Sequence, residues 1–557
     1  MNNQILFIFI LIILSCNEGV CSIIESNFNE NLINFNTFPL SIIHLNDFHA
    51  RYEETNLLSS KCKNDVGEEC IGGYARVVTA VKKLLKDKKD KNPIYLNAGD
   101  NFQGTFWYTL LKWNVTSYFL NLLSADAMTL GNHEFDHGIE GVVPFLETIK
   151  SPIVVANIDD RFEPTFQNKY LKSTVIEKGG RKIGIVGVIH QKTNELSMTE
   201  KLLFLDEVQS VKEEADKLKN SGVDIVIVLS HCGLEVDRKI GKNAGENIDI
   251  IVGGHSHTFL FNGSNIPGPD IPADLYPVVV KQNSGHIVLI VQASAYTKYL
   301  GDITVYFNGK NEIIDWIGNP IYLDSSIPND PDILRELEPW RDEIDKIGNR
   351  IVGKTKVLLS NDCRLDECNL GTFVTDAFLD YYIDKRDNSN EWTYASISIT
   401  NAGGIRTGLE IGNLVYDDLV TSIPFENTID AFELQGKYLL EALEYSGREY
   451  GKANFLQFTG LKVTYNVSKS FNENRVVSVD VLCRRCRVPR YEKLNLTEIY
   501  RLIVPNWIGG GGNNFTMFGN FRTNIKKGPL DIELFARYVA KMSPITKGTD
   551  GRIKIIY

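Results

Sequence analysis

Residues 131–136 read Gly131-Asn132-His133-Glu134-Phe135-Asp136, with the apolar run Ala127-Met128-Thr129-Leu130 before them and His137 after. One short turn thus offers a neutral amide oxygen, an imidazole and a carboxylate. Together these can supply a metal ligand, a charge stabiliser or general acid, and a group to orient it. Alone, the turn is equally consistent with a polar loop, so its meaning depends on the rest of the chain.

The same device recurs on both sides of it. Ser41 to Leu45 is apolar and ends in Asn46-Asp47-Phe48-His49, and Pro93 to Leu96 ends in Asn97-Ala98-Gly99-Asp100. Val223 to Leu229 ends in Ser230-His231-Cys232-Gly233, and Ile248 to Val252 ends in Gly253-Gly254-His255-Ser256-His257. Helical patterns at Tyr74 to Lys86 and Glu207 to Lys219 lie between some of these runs. Strand, polar loop and helix in repetition predict an α/β fold, whose sites form at the carboxyl ends of strands. All nine histidines precede residue 300, which confines imidazole chemistry to the first half. For His44, His190 and His286 an ordinary packed or surface side chain is the expectation, and His137 is left between a supporting role and the surface.

The loop donors suit two divalent ions sharing a carboxylate, as in phosphatase-type centres whose ions lie roughly 3.5–4 Å apart. The mixed nitrogen and oxygen set fits zinc, manganese or a similar ion better than calcium. The net charge of −11 argues against general nucleic-acid binding, and a length of 557 residues favours two domains.

Residues 1–22 read as a signal peptide: Ile5 to Leu14 is apolar and small or polar residues follow, although no Lys or Arg precedes the run. The C-terminus shows no spacer and hydrophobic tail, so the expectation is a secreted, extracellular protein without a membrane anchor. Of nine cysteines, Cys16 and Cys21 would leave with the signal. Six of the rest form close pairs, Cys62 with Cys70, Cys363 with Cys368 and Cys483 with Cys486, which read as short-range disulfides, with Cys232 left over and buried. Sequons at Asn114, Asn262, Asn466, Asn495 and Asn514 are candidate glycosylation sites.

Asp47-x-His49, Gly99-Asp100-Asn101-Phe102-Gln103-Gly104-Thr105, Gly131 to Asp136, His231 and Gly254-His255-Ser256-His257 together resemble the calcineurin-like metallophosphatase domain of the 5'-nucleotidase/apyrase family. The resemblance covers nearly the whole mature chain. It implies an N-terminal metallophosphatase β-sandwich with flanking helices over 39–315, an interdomain helix over 329–350 and an α+β nucleotide-binding domain over 351–557. It implies that Asp47 and His49 bind the first metal, that Asp100 bridges, and that Asn132, His231 and His255 bind the second. His257 stands where many relatives have Asn or Gln as a further ligand of the first metal. His133 would act on the phosphoryl group or leaving oxygen, oriented by Asp136.

The second half lacks histidine but carries Arg364 inside the Cys363–Cys368 loop, Asn401-Ala402-Gly403-Gly404-Ile405-Arg406 after a strand, Phe425, and Trp507 before four glycines. Glycines permit close backbone approach, arginine offers a planar fork for an oxyanion, and two aromatics suit a stacked base. By resemblance, Arg364, Asn401 and Arg406 hold the nucleoside and its phosphates, while Phe425 and Trp507 sandwich the purine. Asn513 stands where relatives often have Asp for the ribose hydroxyls, and Asn514 beside it belongs to a sequon. The connecting helix follows from Pro331 in its first turn and from Ile333, Leu337, Trp340, Ile344 and Ile347 at alternating four- and three-residue spacing, with Pro339 predicting a kink and Gly348 a stop. The resulting expectation is a secreted apyrase hydrolysing ATP and ADP to AMP, of the kind found in the saliva of blood-feeding arthropods. The alternatives are a secreted 5'-nucleotidase acting on AMP and a non-catalytic secreted binding protein on the same fold. A nucleotide is the expected partner and a monomer the expected state.

Overall fold

The computed structural model describes residues 37–62, 69–383, 385 and 391–557; the expected signal peptide lies outside them. The first half builds two six-stranded sheets. One runs Ile313–Gly318, Tyr299–Phe307, Phe38–Leu45, Ile94–Asn97, Ala127–Met128, with Ile321–Tyr322 also pairing with Tyr299–Phe307. The other runs Val278–Lys281, Ile287–Val291, Ile250–Val252, Ile225–His231, Arg181–Ile189, Ser173–Lys178. Phe38–Leu45, Ile94–Asn97 and Ala127–Met128 are parallel, and so are Arg181–Ile189, Ile225–His231 and Ile250–Val252.

The two sheets pack face to face as a sandwich. Leu40, Ile42, Ile94 and Leu96 from one share an apolar core with Ile183, Ile185, Ile227 and Leu289 from the other. The strand Ile225–His231 is buried along its whole length, so its sequence is nearly continuous aliphatic residues rather than alternating ones. The helices Tyr74–Asp87 and Glu207–Asn220 flank the sandwich close to the predicted spans.

Helix Pro331–Gly348 separates this half from the next. Asp330 caps it, its Oδ1 accepting from the backbone N–H groups of Asp332 at 3.0 Å and Ile333 at 3.2 Å. The helix continues through Pro339, and Gly348 is its last residue. The second half holds a five-stranded sheet ordered Leu456–Thr459, Ile397–Asn401, Ile499–Pro505, Ile429–Gln435, Thr523–Lys526. It also holds a four-stranded and a two-stranded sheet. One apolar cluster runs from Phe48, Phe106 and Leu130 through Ile333 and Ile344 to Leu419 and Phe535, tying the halves together.

Disulfides join Cys62 to Cys70, Cys363 to Cys368 and Cys483 to Cys486, and Cys232 is a buried free thiol. Among the described residues no helix is long and apolar enough to cross a membrane.

Candidate metal centre and its cavity

Five strand ends deliver the predicted donors to one place. Asp47 and His49 follow Phe38–Leu45, Asp100 follows Ile94–Asn97, and Asn132 follows Ala127–Met128. His231 closes Ile225–His231 in the second sheet, and His255 and His257 follow Ile250–Val252. The site therefore forms where the carboxyl ends of the parallel strands of both sheets converge.

The donor atoms fall into two groups that share Asp100. Asp47, His49, Asp100 and His257 bring ligand atoms within 4.8 Å of one another, and Asp100, His231 and His255 do the same. Asn132 Oδ1 joins the second group, 2.8 Å from His255 Nδ1. Asp47, His49 and His231 are fully buried. Among the described residues, the only ion-pair partners of Asp47 and Asp100 are imidazoles, with His231 Nε2 at 3.0 Å and His49 Nε2 at 3.7 Å from Asp100 Oδ2. Two buried carboxylates ringed by imidazoles, with no Lys or Arg paired to them, make a mixed oxygen and nitrogen donor set that fits two divalent ions. Burial lowers the pKa of His49, His255 and His257, favouring the neutral imidazole that binds metal. His231 is opposite: burial disfavours its charge, but Asp100 outweighs it and pushes the pKa up to about 10.

The loops are lashed to each other. Asp47 N–H donates to Gly99 O at 3.1 Å, His49 N–H to Asp100 O at 2.9 Å, and His133 N–H to Asp100 Oδ1 at 2.9 Å. Glycine is required at Gly131, where a Cβ would stand 2.1 Å from Asp100 Oδ1. It is required again at Gly254, where a Cβ would meet His231 Nδ1 and Ala98 O at 2.9 Å. Five candidate ligands, Asp47, His49, Asp100, His255 and His257, have φ between 49° and 73°. That left-handed backbone is costly for residues with a Cβ and gathers at functional sites.

His133 Nδ1 lies 2.7 Å from Asp136 Oδ2, and Asp136 Oδ1 accepts the Ser197 hydroxyl at 2.9 Å. Burial opposes a charge on His133, but Asp136 and Asp100 outweigh it and hold its pKa above the ordinary value. Glu134 carried no role in the sequence reading. It is buried, and its carboxylate accepts the N–H groups of Gly131 at 2.5 Å, Asn101 at 2.6 Å, Asp100 at 3.0 Å and Phe102 at 3.2 Å.

Beside the donors lies a cavity of about 790 Å³, of the size that takes a small-molecule ligand. His133, His255 and His257 line it from the first half, and Arg364, Asn401, Arg406, Phe425, Trp507 and Asn513 from the second. Arg406 Nη2 reaches to 3.5 Å from His49 Nε2, and its guanidinium lies 5.6 Å from the Phe425 ring centroid. Phe425 stacks on His133 at 5.7 Å. Asn401 Nδ2 donates to Ala453 O at 3.2 Å, and Arg364 is exposed at the rim. The Trp507 indole N–H donates to Asn513 Oδ1 at 3.3 Å, so that oxygen is already engaged. Gly512 makes room for the indole, since a Cβ there would stand 2.4 Å from it.

The sequons differ in their surroundings. Asn114 and Asn495 are exposed, Asn466 is half-buried at the end of strand Leu461–Asn466, and Asn514 lines the cavity. Asn262 exchanges hydrogen bonds with the backbone of Tyr276 through both amide atoms.

Residues 40–259 match the calcineurin-like phosphoesterase family model, and residues 351–520 match that of the 5'-nucleotidase C-terminal domain. The chain is 50% identical to an apyrase of Tabanus yao over 526 residues, covering 93% of this chain and 94% of that one. It is 39% identical to the 5'-nucleotidase of Homo sapiens, covering 93% and 91%. The crystal structure of a 5'-nucleotidase precursor from Thermus thermophilus superposes with a TM-score of 0.85 at 32% identity, covering 93% of this chain and 99% of that one. With both segments matched in order and relatives similar along their full length, the chain belongs to the 5'-nucleotidase/apyrase family.

Proposed function

We propose that this protein is a secreted apyrase that hydrolyses ATP and ADP to AMP and phosphate, with a metallophosphatase domain over 39–315, an interdomain helix over 329–350 and a nucleotide-binding domain over 351–557. The observation that carries the reading is the pair of donor groups sharing Asp100 and adjoining a cavity lined by arginines and aromatics from the other half. Relatives named apyrase include those of Tabanus yao at 50% identity and Anopheles gambiae at 40%.

In this reading Asp47, His49 and His257 would hold one divalent ion and Asn132, His231 and His255 the other, with Asp100 common to the two donor groups. When bound, the pair supplies Lewis-acid polarisation of the phosphoryl oxygens and an activated water for in-line attack. The side chains do the rest. Asp136 fixes His133 through Nδ1, leaving Nε2 to stabilise the transferring phosphoryl group or give a proton to the leaving oxygen. Arg364 and Arg406 hold the remaining phosphates, Asn401 the nucleoside, and Phe425 and Trp507 flank the purine. Asn513, in place of an acid, keeps Trp507 oriented through its engaged oxygen and contributes less to the ribose. Glycans on Asn114, Asn466 and Asn495 leave the cavity open, whereas one on Asn514 would fill it.

Secretion is supported by the apolar run from Ile5 to Leu14 and by three disulfides. The resemblance to salivary apyrases extends the proposal to a role in saliva that removes ADP and so limits platelet aggregation. A 5'-nucleotidase acting on AMP is the second reading, favoured by the likeness to proteins of that name. Phosphate release from ATP, ADP and AMP, measured with several divalent metals, separates the two. The apyrase reading expects ATP and ADP to be consumed and AMP to accumulate. Rapid AMP turnover with little on ADP would replace it with the second reading, and no nucleotide turnover with metals bound would favour a binding protein.

A further inference from the structure

Lys112, His137 and Glu426 meet at a junction that neither half of the molecule builds alone. Lys112 belongs to helix Phe106–Leu122, His137 follows Asp136, and Glu426 follows Phe425 in the second half. Lys112 Nζ donates to Glu426 Oε2 at 2.6 Å and lies 2.9 Å from His137 Nε2. His137 Nε2 is 3.3 Å from the same Glu426 oxygen, and the Tyr108 hydroxyl backs the ring at 3.2 Å from Nδ1. One carboxylate oxygen thus faces an ammonium and an imidazole nitrogen from the opposite half. Burial works against the charge on Glu426, yet hydrogen bonds from His137 and Lys112 outweigh it and hold the carboxyl below its ordinary value.

The backbone separates this cluster from an incidental surface ion pair. Lys112 has φ 54° and ψ −147° at a kink that divides the span Phe106–Leu122 into two helical segments, a conformation suited to glycine. Glu426 has φ 55°. Such conformations are costly for residues with a Cβ and persist where surrounding contacts over-determine them. Here the strained residues at the two ends are the ones that reach across to each other. The adjacent Phe425 lies against the reacting end of the cavity, stacked on His133 with ring centroids 5.7 Å apart and planes 26° apart. His133 in turn is gripped by Asp136, next in sequence to His137.

We propose that Lys112 and His137 are positioning residues that clasp Glu426 and so set Phe425 against His133 beside a nucleotide in the cavity. The clasp acts on substrates that carry a base for Phe425 to face, and leaves small phosphoesters without a base unaffected. This inference rests on the nucleotide reading given above.

The test is a charge-swap cycle with Lys112→Glu, Glu426→Lys and the double variant, assayed on ADP and on p-nitrophenyl phosphate in the metal-loaded full chain. Both side chains are about one-third exposed, and the unfolding midpoint of each variant confirms that the fold is intact. Each single variant is expected to lower kcat/KM for ADP about fivefold and to leave p-nitrophenyl phosphate within about twofold of wild type. The double swap is expected to recover most of the loss, because the opposite charges face each other again. Wild-type ADP kinetics in both single variants, equal losses on both substrates, or a double variant no better than the singles would each overturn the clasp. A wild-type enzyme that hydrolyses p-nitrophenyl phosphate and no nucleotide would overturn the nucleotide reading and the clasp with it.

Discussion

Glu134 has a buried carboxylate whose two oxygens accept four backbone N–H groups, three of them on the loop that carries Asp100. Those N–H groups point inward because the loop turns sharply at Gly99 and Asp100, both with positive φ. Without an acceptor they would be buried and unpaired. Glu134→Gln puts an amide N–H₂ where one acceptor oxygen stood, facing N–H donors. The expected outcome is a loss of about 1–3 kcal/mol in stability and weaker retention of metal, read by thermal unfolding and by metal content after dialysis. Unchanged stability and metal content would show that the loop holds Asp100 without it. The residue types at this site were legible in the sequence because Asp, His and Asn recur at strand ends with one chemical theme. The left-handed backbone of five ligands was not, because it is imposed by contacts between loops far apart in sequence. Nor was the engagement of Asn513 by Trp507, which depends on the path of the glycine-rich turn between them.

At the scale of elements, apolar runs located every strand of the site to within a few residues, although Ala127–Met128 forms only a two-residue strand. What the runs could not tell is that His231 and His255 come from a different sheet than Asp47 and Asp100; that follows from long-range pairing. The connecting helix was legible from its first-turn proline and its apolar spacing. Its Asp330 cap also pairs with Lys82 at 2.7 Å. Burial would raise the Asp330 pKa, but Lys82 and the two N–H groups outweigh it and the value is lowered. A carboxylate with a lowered folded-state pKa stabilises the fold at pH above its ordinary value, and that contribution fades as pH falls through the lowered value. Asp330→Ala is therefore expected to cost about 1 kcal/mol near neutral pH and progressively less in acid, measured by urea unfolding at several pH values. A difference from wild type that stays constant down to strongly acid pH would contradict this role for the cap.

The whole molecule places the candidate metal donors in one half and most of the side chains proposed for the substrate in the other. The apolar cluster running through helix Pro331–Gly348, the contact of Arg406 with His49 and the bridge from Lys112 to Glu426 bring them to one cavity. That imidazole chemistry belongs to the first half was legible from the nine histidines, all of which precede residue 300. The contacts between the halves were not, because Lys112 and Glu426 lie 314 residues apart and nothing local to either names the other. Everything proposed for this cavity depends on two ions that share Asp100 and make it hydrolytic. The decisive measurement strips the protein with chelator and titrates a single divalent metal back while following bound metal and ADP hydrolysis together. Two ions bound per chain are expected, with hydrolysis appearing as the second site fills. Full hydrolysis by the stripped protein, or with a single ion per chain, would contradict a shared two-ion centre.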